Sequence, residues 1–414
     1  MNQLYDVGHY QALEETVIKN FEQRLKEIEE FATGAKSENK FLQFLSVHIS
    51  DINFEDKLTH SIYWITQIEE YLEMSEILVE YMDDLGNCEL ETELFDCVHR
   101  TDFTADFKDL LDKGTDKAKA YKEVLSMVEQ QLVQFNHRHF RAEEEKFKPE
   151  QYRDIYELGE FENRMITRVE FGGVSFGFLS NDENKMYRHK DRLISTLKKI
   201  CKFSPQSAIP LKFFTSIVIP IMEEGVVSYS SQNIPRFSMI NIDSRDEVDL
   251  MDDILHENGH HHLNFYLNHQ ELLVEDDDQI YYSPWRRALR PVRGIYHAVF
   301  TFYWALKLFY DLSQYGMKLP LTDEQKNKVH LRFGEEYIML MYCKRQLDHA
   351  WITNKLTQEG KDLIDLIYRE VSKTDHYFLQ MEAYFKEDPE ISDLQNHLRE
   401  MYERYPLDFS QGSQ

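Results

Sequence analysis

The chain has 414 residues, with 47 Lys+Arg against 74 Asp+Glu and a formal net charge of −27. So large a carboxylate surplus excludes a protein that tracks a phosphate backbone or docks on an anionic membrane, since either surface would repel it; an acidic exterior favours neutral or basic substrates instead. Hydrophobic residues are 42% and charged residues 29%, an ordinary globular balance in a chain long enough for two or three packed subdomains.

Cys88, Cys97, Cys201 and Cys343 are unclustered and read as reduced thiols. The opening MNQLYDVGHYQALEETV lacks a basic stretch followed by an apolar one, so no leader is expected there. The most apolar run, Ala298–Leu312, is broken by Lys307 and Asp311 and is too short and polar to span a bilayer. A cytoplasmic protein is expected.

Residues 1–165 read as almost wholly helical. LEETVIKNFEQRLKEIEEF (13–31), the segment Phe54–Leu85 and KAKAYKEVLSMVEQQLVQF (117–135) all repeat apolar residues at three and four, the stripe of an amphipathic helix. The texture changes near Met165. ITRVEFGGVSFGFLS (166–180) reads as a hairpin or two short strands, and a helix over Asn184–Lys202 follows. LKFFTSIVIPIM (211–222), GVVSYSS (225–231) and RFSMINID (236–243) are strand candidates separated by turn residues. After Asp246 the pattern is helical to the end. The expected fold class is therefore mainly α (α+β), a helical scaffold with a small antiparallel or mixed sheet preceding a zincin-like helix. Three segments are expected: 1–165, helical, with a surface for docking substrate; 166–320, a metal-binding catalytic core; and 321–414, helices packed on that core. The long N-terminal helices could pack within the chain or across a homodimer.

HENGHHHLN (256–264) holds the chemistry. His256 and His260 are four apart, so on a helix both imidazoles share one face and can reach one divalent ion. Glu257 between them completes H-E-x-x-H. Acidic Glu247, Asp249, Asp252 and Asp253 in the first turns suit the helix dipole. His261 and His262 point elsewhere and read as solvent or orienting groups, and His269 as a lone surface histidine. The longer pattern H-E-x-x-H-x-x-G-x-x-H fails, with Leu263 and Tyr266 at the last two places. A third ligand could come from Glu271 or Glu275, which fall in the acidic ELLVEDDD. The better candidate is His297, in RPVRGIYHAVFTFYWALKLF, because a lone imidazole in a buried apolar helix must be satisfied and coordination is one way. Between the two helices lies YYSPWRRALRPVRG (281–294), with Arg286, Arg287, Arg290 and Arg293 beside Trp285. A rigid Pro/Trp loop carrying guanidiniums next to a metal helix is a candidate carboxylate trap. Trp285, Tyr281, Tyr282, Tyr296 and Phe300 could line the cavity.

H-E-x-x-H, then Y-x-P-W-R-x-x-x-R-P (Tyr282, Pro284, Trp285, Arg286, Arg290 and Pro291), then G-x-x-H (Gly294 and His297) before an apolar aromatic helix resembles the HExxH-motif peptide-modification family. That family is associated with biosynthetic clusters for ribosomally made, post-translationally modified peptides, and includes iron(II)/2-oxoglutarate-dependent peptide β-hydroxylases. The likeness covers Val248–Leu312 and reaches loosely back to Ile166. LRPVRG departs from the pattern, and its extra Arg293 leaves open which guanidinium binds. The resemblance implies Fe(II) held by His256, His260 and His297, O2 and 2-oxoglutarate as co-substrates, and the far carboxylate of 2-oxoglutarate paired with Arg290 or Arg286. It implies a peptide or amino-acid substrate, and Glu257 as a ligand or as a group that orients one. The alternatives are a zinc peptidase, with Zn on His256 and His260 and Glu257 activating water, and a noncatalytic peptide-binding protein with a structural metal.

Overall fold

The computed structural model describes residues 3–34, 40–48, 68, 89, 92–94, 96, 102–115, 117–139, 165–171, 174–179, 183–215, 217–222, 224–231, 234–274 and 278–412. Apart from Ile68, which is helical and buried, the segment Phe54–Leu85 lies outside these residues, as do Cys88 and Cys97. Helix dominates, so the chain is mainly α. It divides into one unit of residues 14–164 with 233–235 and another of residues 1–13, 165–232 and 236–414.

In the first unit, helix α1 (Val7–Gly34), which begins in the other unit, is followed by α2 (Lys40–His48), α3 (Phe103–Asp112) and α4 (Lys117–His139). Asp102 caps α3 by accepting from the Ala105 N–H, and Gly114 closes it at φ 82°, a left-handed angle that favours glycine. Phe44 stacks on Tyr121 with ring centroids 5.3 Å apart and Phe107 meets Phe44 edge-on, so aromatic packing joins α2, α3 and α4.

In the second unit the described strands form a five-stranded sheet, in the order β1-β2-β3-β5-β4, and a two-stranded one. β1 (Met165–Phe171) and β2 (Val174–Leu179) pair antiparallel, whereas β3 (Ile217–Ile221) runs parallel to β2 and to β5 (Ile234–Asn241). The sheet is therefore mixed. The short strand β4 (Tyr229–Ser231) closes one edge. Helix α5 (Glu183–Phe203) and helix α6 (Ala208–Phe214) connect β2 to β3. The expected strand 211–222 is thus half helix. An apolar run carries no periodicity with which to choose between the two states, and Pro210 sits in the first turn of α6, where its fixed φ suits a helix.

Helices α7 (Glu247–His269), α8 (Val292–Ser313), α9 (Asp323–Ile352), α10 (Gln358–Ser372), α11 (Asp375–Glu387) and α12 (Pro389–Arg404) complete the unit. α8 packs against both α7 and α9, which explains why its sequence is apolar all round. The segment expected as a Pro/Trp loop is an antiparallel hairpin, β6 (Tyr281–Ser283) with β7 (Ala288–Arg290), in register Tyr281↔Arg290. Arg287 turns it with a left-handed φ of 49°. No helix among the described residues is long and apolar enough to cross a membrane.

Candidate metal centre

α7 is set by local chemistry. Asp246 accepts from the Val248 and Asp249 N–H groups, and Asp249 accepts in return from the Asp246 N–H, a reciprocal cap that fixes where the helix starts. Most of α7 is buried, including Leu255, Gly259 and Leu263. The polar side of the motif faces a cavity of about 900 Å³, lined from α7 by Asp252, His256, Glu257 and His260 and from α8 by His297. The hairpin contributes Trp285, Arg286 and Arg290, and the start of α8 contributes Arg293.

His256 and His260 have ring centroids 5.0 Å apart, and His260 and His297 6.2 Å. An ion ~2.0–2.1 Å from two imidazole nitrogens sets their centroids about 5 Å apart. The first pair already meets that spacing, and the second exceeds it by about 1 Å on the same criterion. Accordingly, no group of three or more His, Cys, Asp or Glu among the described residues stands as a finished metal cage. The chemistry of the donors nevertheless fits a cation. Nε2 of His297 is buried without a hydrogen-bond partner, which is costly unless something else satisfies it. Burial lowers the pKa of all three imidazoles, His260 most severely and His297 to about 4, with Arg293 adding to the latter. They are neutral at neutral pH, with lone pairs to donate.

Glu257 is buried and accepts a 2.6 Å hydrogen bond from the Ser230 hydroxyl on β4. Burial pushes its pKa up to about 8 despite that bond, so its carboxyl keeps a proton at neutral pH until a cation arrives. A second layer supports His256. Phe302 contacts its ring at 4.5 Å, and Trp285 lies flat on Phe302 with centroids 4.4 Å apart and 5° between planes. The Trp285 indole N–H donates to Glu336 on α9 at 2.9 Å, and Arg332 bridges Glu336 (3.2 Å) to Asp252 (3.0 Å). Ser230, Phe302, Arg332 and Glu336 carry no sequence signal, because each acts through a partner more than 25 residues away.

Tyr282 and Tyr296 do not line the cavity. Tyr282 packs with Met339 and Leu398 and shares a hydrogen bond with His397, while Tyr296 is buried and donates to the Gly360 carbonyl. Tyr281 bonds His349, and Phe300 packs edge-on against His262. These aromatics lie on the face that meets neighbouring helices, whereas Trp285 and Phe302 face the cavity. His261 and His262, expected as solvent or orienting groups, are buried. His261 bonds the Phe237 carbonyl (3.0 Å) and Ser238 (3.2 Å), whereas His262 has no hydrogen bond and stacks on Phe214 at 4.2 Å among Tyr10, Phe300 and Trp304. Glu271 is exposed and away from the cavity, and Glu275 lies outside the described residues.

The chain matches no model of a known protein family, and no curated protein matches it significantly.

Proposed function

We propose that this protein is an iron(II)/2-oxoglutarate-dependent oxygenase that hydroxylates an unactivated carbon of a peptide or amino-acid side chain. The observation that carries the reading is the coincidence, in one cavity, of His256, His260 and a His297 whose Nε2 has no hydrogen-bond partner among the described residues with Arg286, Arg290 and Arg293, which make no ion pair among them. Imidazoles of that kind hold a divalent metal. The guanidiniums hold an anion beside it, which a zinc peptidase does not need. His256, His260 and His297 would be the ligands, and bound iron with O2 and 2-oxoglutarate would supply the oxidising power.

The protein's own contribution is placement. Arg286 is the anchor for the far carboxylate of 2-oxoglutarate, since its charge is felt by both His256 and His260, and a guanidinium–carboxylate pair is directional. Trp285 and Phe302 wall the cavity beside His256 and keep water from the reacting atoms. Ser230 holds Glu257 in the same wall.

The test is aerobic incubation with iron(II) and 2-oxoglutarate, with succinate read by NMR. Succinate above a His256→Ala control supports the reading. No turnover of the keto acid with iron, together with peptide cleavage by the zinc-loaded protein, overturns it.

A further inference from the structure

Six cations line the cavity, and they fall into two groups. Arg245 pairs with Asp253 at 3.4 Å, Lys328 with Asp246 and Asp249 at 3.0 and 2.6 Å, and Arg332 with Asp252 and Glu336 at 3.0 and 3.2 Å. Arg286, Arg290 and Arg293 make no ion pair among the described residues. In a chain whose acids exceed its bases by 27, three guanidiniums left without carboxylates around one cavity are an excess that the fold has not used internally.

Two of the three sit at one place. Arg290 ends β7 and Arg293 is in the first turn of α8. That turn has no acidic residue, and its cap position is Pro291, which offers no side-chain acceptor. The helices α7, α9, α10, α11 and α12 all begin with acids. A helix N-terminus is the positive end of the dipole and leaves amide N–H groups free, so two arginines there repel it unless an anion intervenes. Gly294 makes the placement feasible: a Cβ on it would lie 3.0 Å from Arg290 Nε and 3.2 Å from Arg290 Cβ. The Arg290 side chain therefore lies against the first turn of α8.

2-Oxoglutarate, on the reading above, engages one of these guanidiniums. Its far carboxylate answers Arg286 and its other end belongs beside the imidazoles, which leaves Arg290, Arg293 and the α8 N-terminus. We propose that these three form a separate carboxylate subsite for the substrate itself. The substrate is then anionic at its point of attachment, a peptide or amino acid presenting either its C-terminal carboxylate or an acidic side chain. This reverses the preference for neutral or basic substrates expected from net charge. Its role in catalysis rests on the oxygenase reading, but the subsite's existence does not.

Calorimetric titration of the full-length, metal-free protein at low ionic strength tests it with defined probes. These are acetyl-trialanine as the free acid, the same peptide as its amide, acetyl-Ala-Asp-Ala-amide, acetyl-Ala-Lys-Ala-amide and 2-oxoglutarate. One of the two carboxylate peptides should bind at least about tenfold tighter than the neutral amide, the scale of one charge-assisted pair, and which one it is identifies the source of the carboxylate. Arg293→Ala should abolish that preference and shift 2-oxoglutarate affinity by less than about threefold, whereas Arg286→Ala should weaken 2-oxoglutarate about tenfold or more. All three arginines are exposed, so the variants should fold, as melting curves will check. The proposal fails if no carboxylate peptide outbinds the neutral and lysine probes, or if Arg293→Ala weakens 2-oxoglutarate as much as Arg286→Ala does, which would make the arginines a single clamp. Absence of succinate formation from 2-oxoglutarate by the iron-loaded protein, with the peptide preference intact, would sink the oxygenase reading and leave the subsite standing.

Discussion

Gly259, inside His-Glu-Asn-Gly-His, is where the two ligand-bearing helices come into close contact, and replacing it with alanine tests whether that approach sets the metal geometry. A Cβ there would lie 3.0 Å from Trp304 Cδ1 and 3.1 Å from the Thr301 Cα, inside ordinary contact distance. Neither neighbour can retreat cheaply. Thr301 presents backbone, and the fully buried Trp304 is hemmed in by Tyr303 (5.1 Å between centroids), His262 (5.6 Å) and Tyr5 (5.8 Å). α8 must therefore move off α7 by a few tenths of an ångström. Overpacking of this kind costs about 1–3 kcal/mol, and alanine returns up to about 1 kcal/mol of helix propensity, so the net loss is about 1 kcal/mol, or about 1–2 °C in melting temperature for a chain of this size. The larger effect falls on the site. His260 adjoins Gly259 on α7, and His297 lies one turn before Thr301 on α8, so the shift widens a His260–His297 spacing that is already 6.2 Å. Metal affinity, measured by competition with a chelator, should fall about 10–100-fold, the range typical of groups that orient ligands. A Gly259→Ala protein that melts no lower than the parent and holds its metal equally well would refute the reasoning.

His262 has both ring nitrogens buried without partners, so His262→Leu removes an unsatisfied polar group and should raise stability by about 1 kcal/mol. His261→Leu strands the hydroxyl of Ser238 and the amide of Arg236 and should lower it by about 2–4 kcal/mol; paired denaturant titrations that rank the two variants the other way would contradict these assignments. The metal-free protein should be most stable near pH 6.5, and the sign follows from two opposed sets of groups. Burial pushes Glu257 and Glu336 up to about 8, so between their ordinary value of 4.5 and 8 the folded state holds more protons than the unfolded, and stability falls as pH rises. Burial holds His261 and His297 down to about 4, and lowers His256, His260 and His262 as well. Below pH 6.5 the unfolded state therefore binds more protons, and these five imidazoles outnumber the raised acids, so acid also destabilises. The alkaline limb has a slope of at most about 1.4 kcal/mol per pH unit per group, and Glu336→Gln, which keeps an acceptor for Trp285, should flatten it. Stability that continues to climb from pH 6.5 to 8.5 would show that these carboxyls ionise freely in the fold.

α7 and its two candidate ligands were legible because everything that makes them is local. The Asp246 cap, the acids of the first turns and the four-residue spacing of His256 and His260 all lie within a few turns of one helix. His297 stood out for a related reason, as an imidazole in an otherwise apolar run. That it faces the cavity depends on α8 packing against both α7 and α9, which no spacing encodes. The hairpin was missed because its strands are three residues each, too short to show a period of two, and because its turn uses Arg287 rather than glycine or asparagine at a positive φ. Of the aromatics expected to line the cavity, Trp285 does so, whereas Tyr282 and Tyr296 do not. Tyr282 and Tyr296 have the right composition for a wall, but the nearest apolar surfaces belong to α9, α10 and α12, and the rings went there.

At the cavity the net charge and the local balance of charge point in opposite directions. A total of −27 is a sum over the whole surface, and it governs long-range attraction, which salt screens within about 10 Å. The field inside a cavity is set by which charges there lack partners. Asp246, Asp249, Asp252 and Asp253 all face the cavity's own cations and are spent on Lys328, Arg332 and Arg245. Burial keeps Glu257 protonated and so removes one more negative charge. What remains is Arg286, Arg290 and Arg293, so an acidic protein presents a cationic site. Pairing is a tertiary property, decided by Arg332 reaching back 80 residues to Asp252, and a substrate reads that local balance at contact distance rather than the sum.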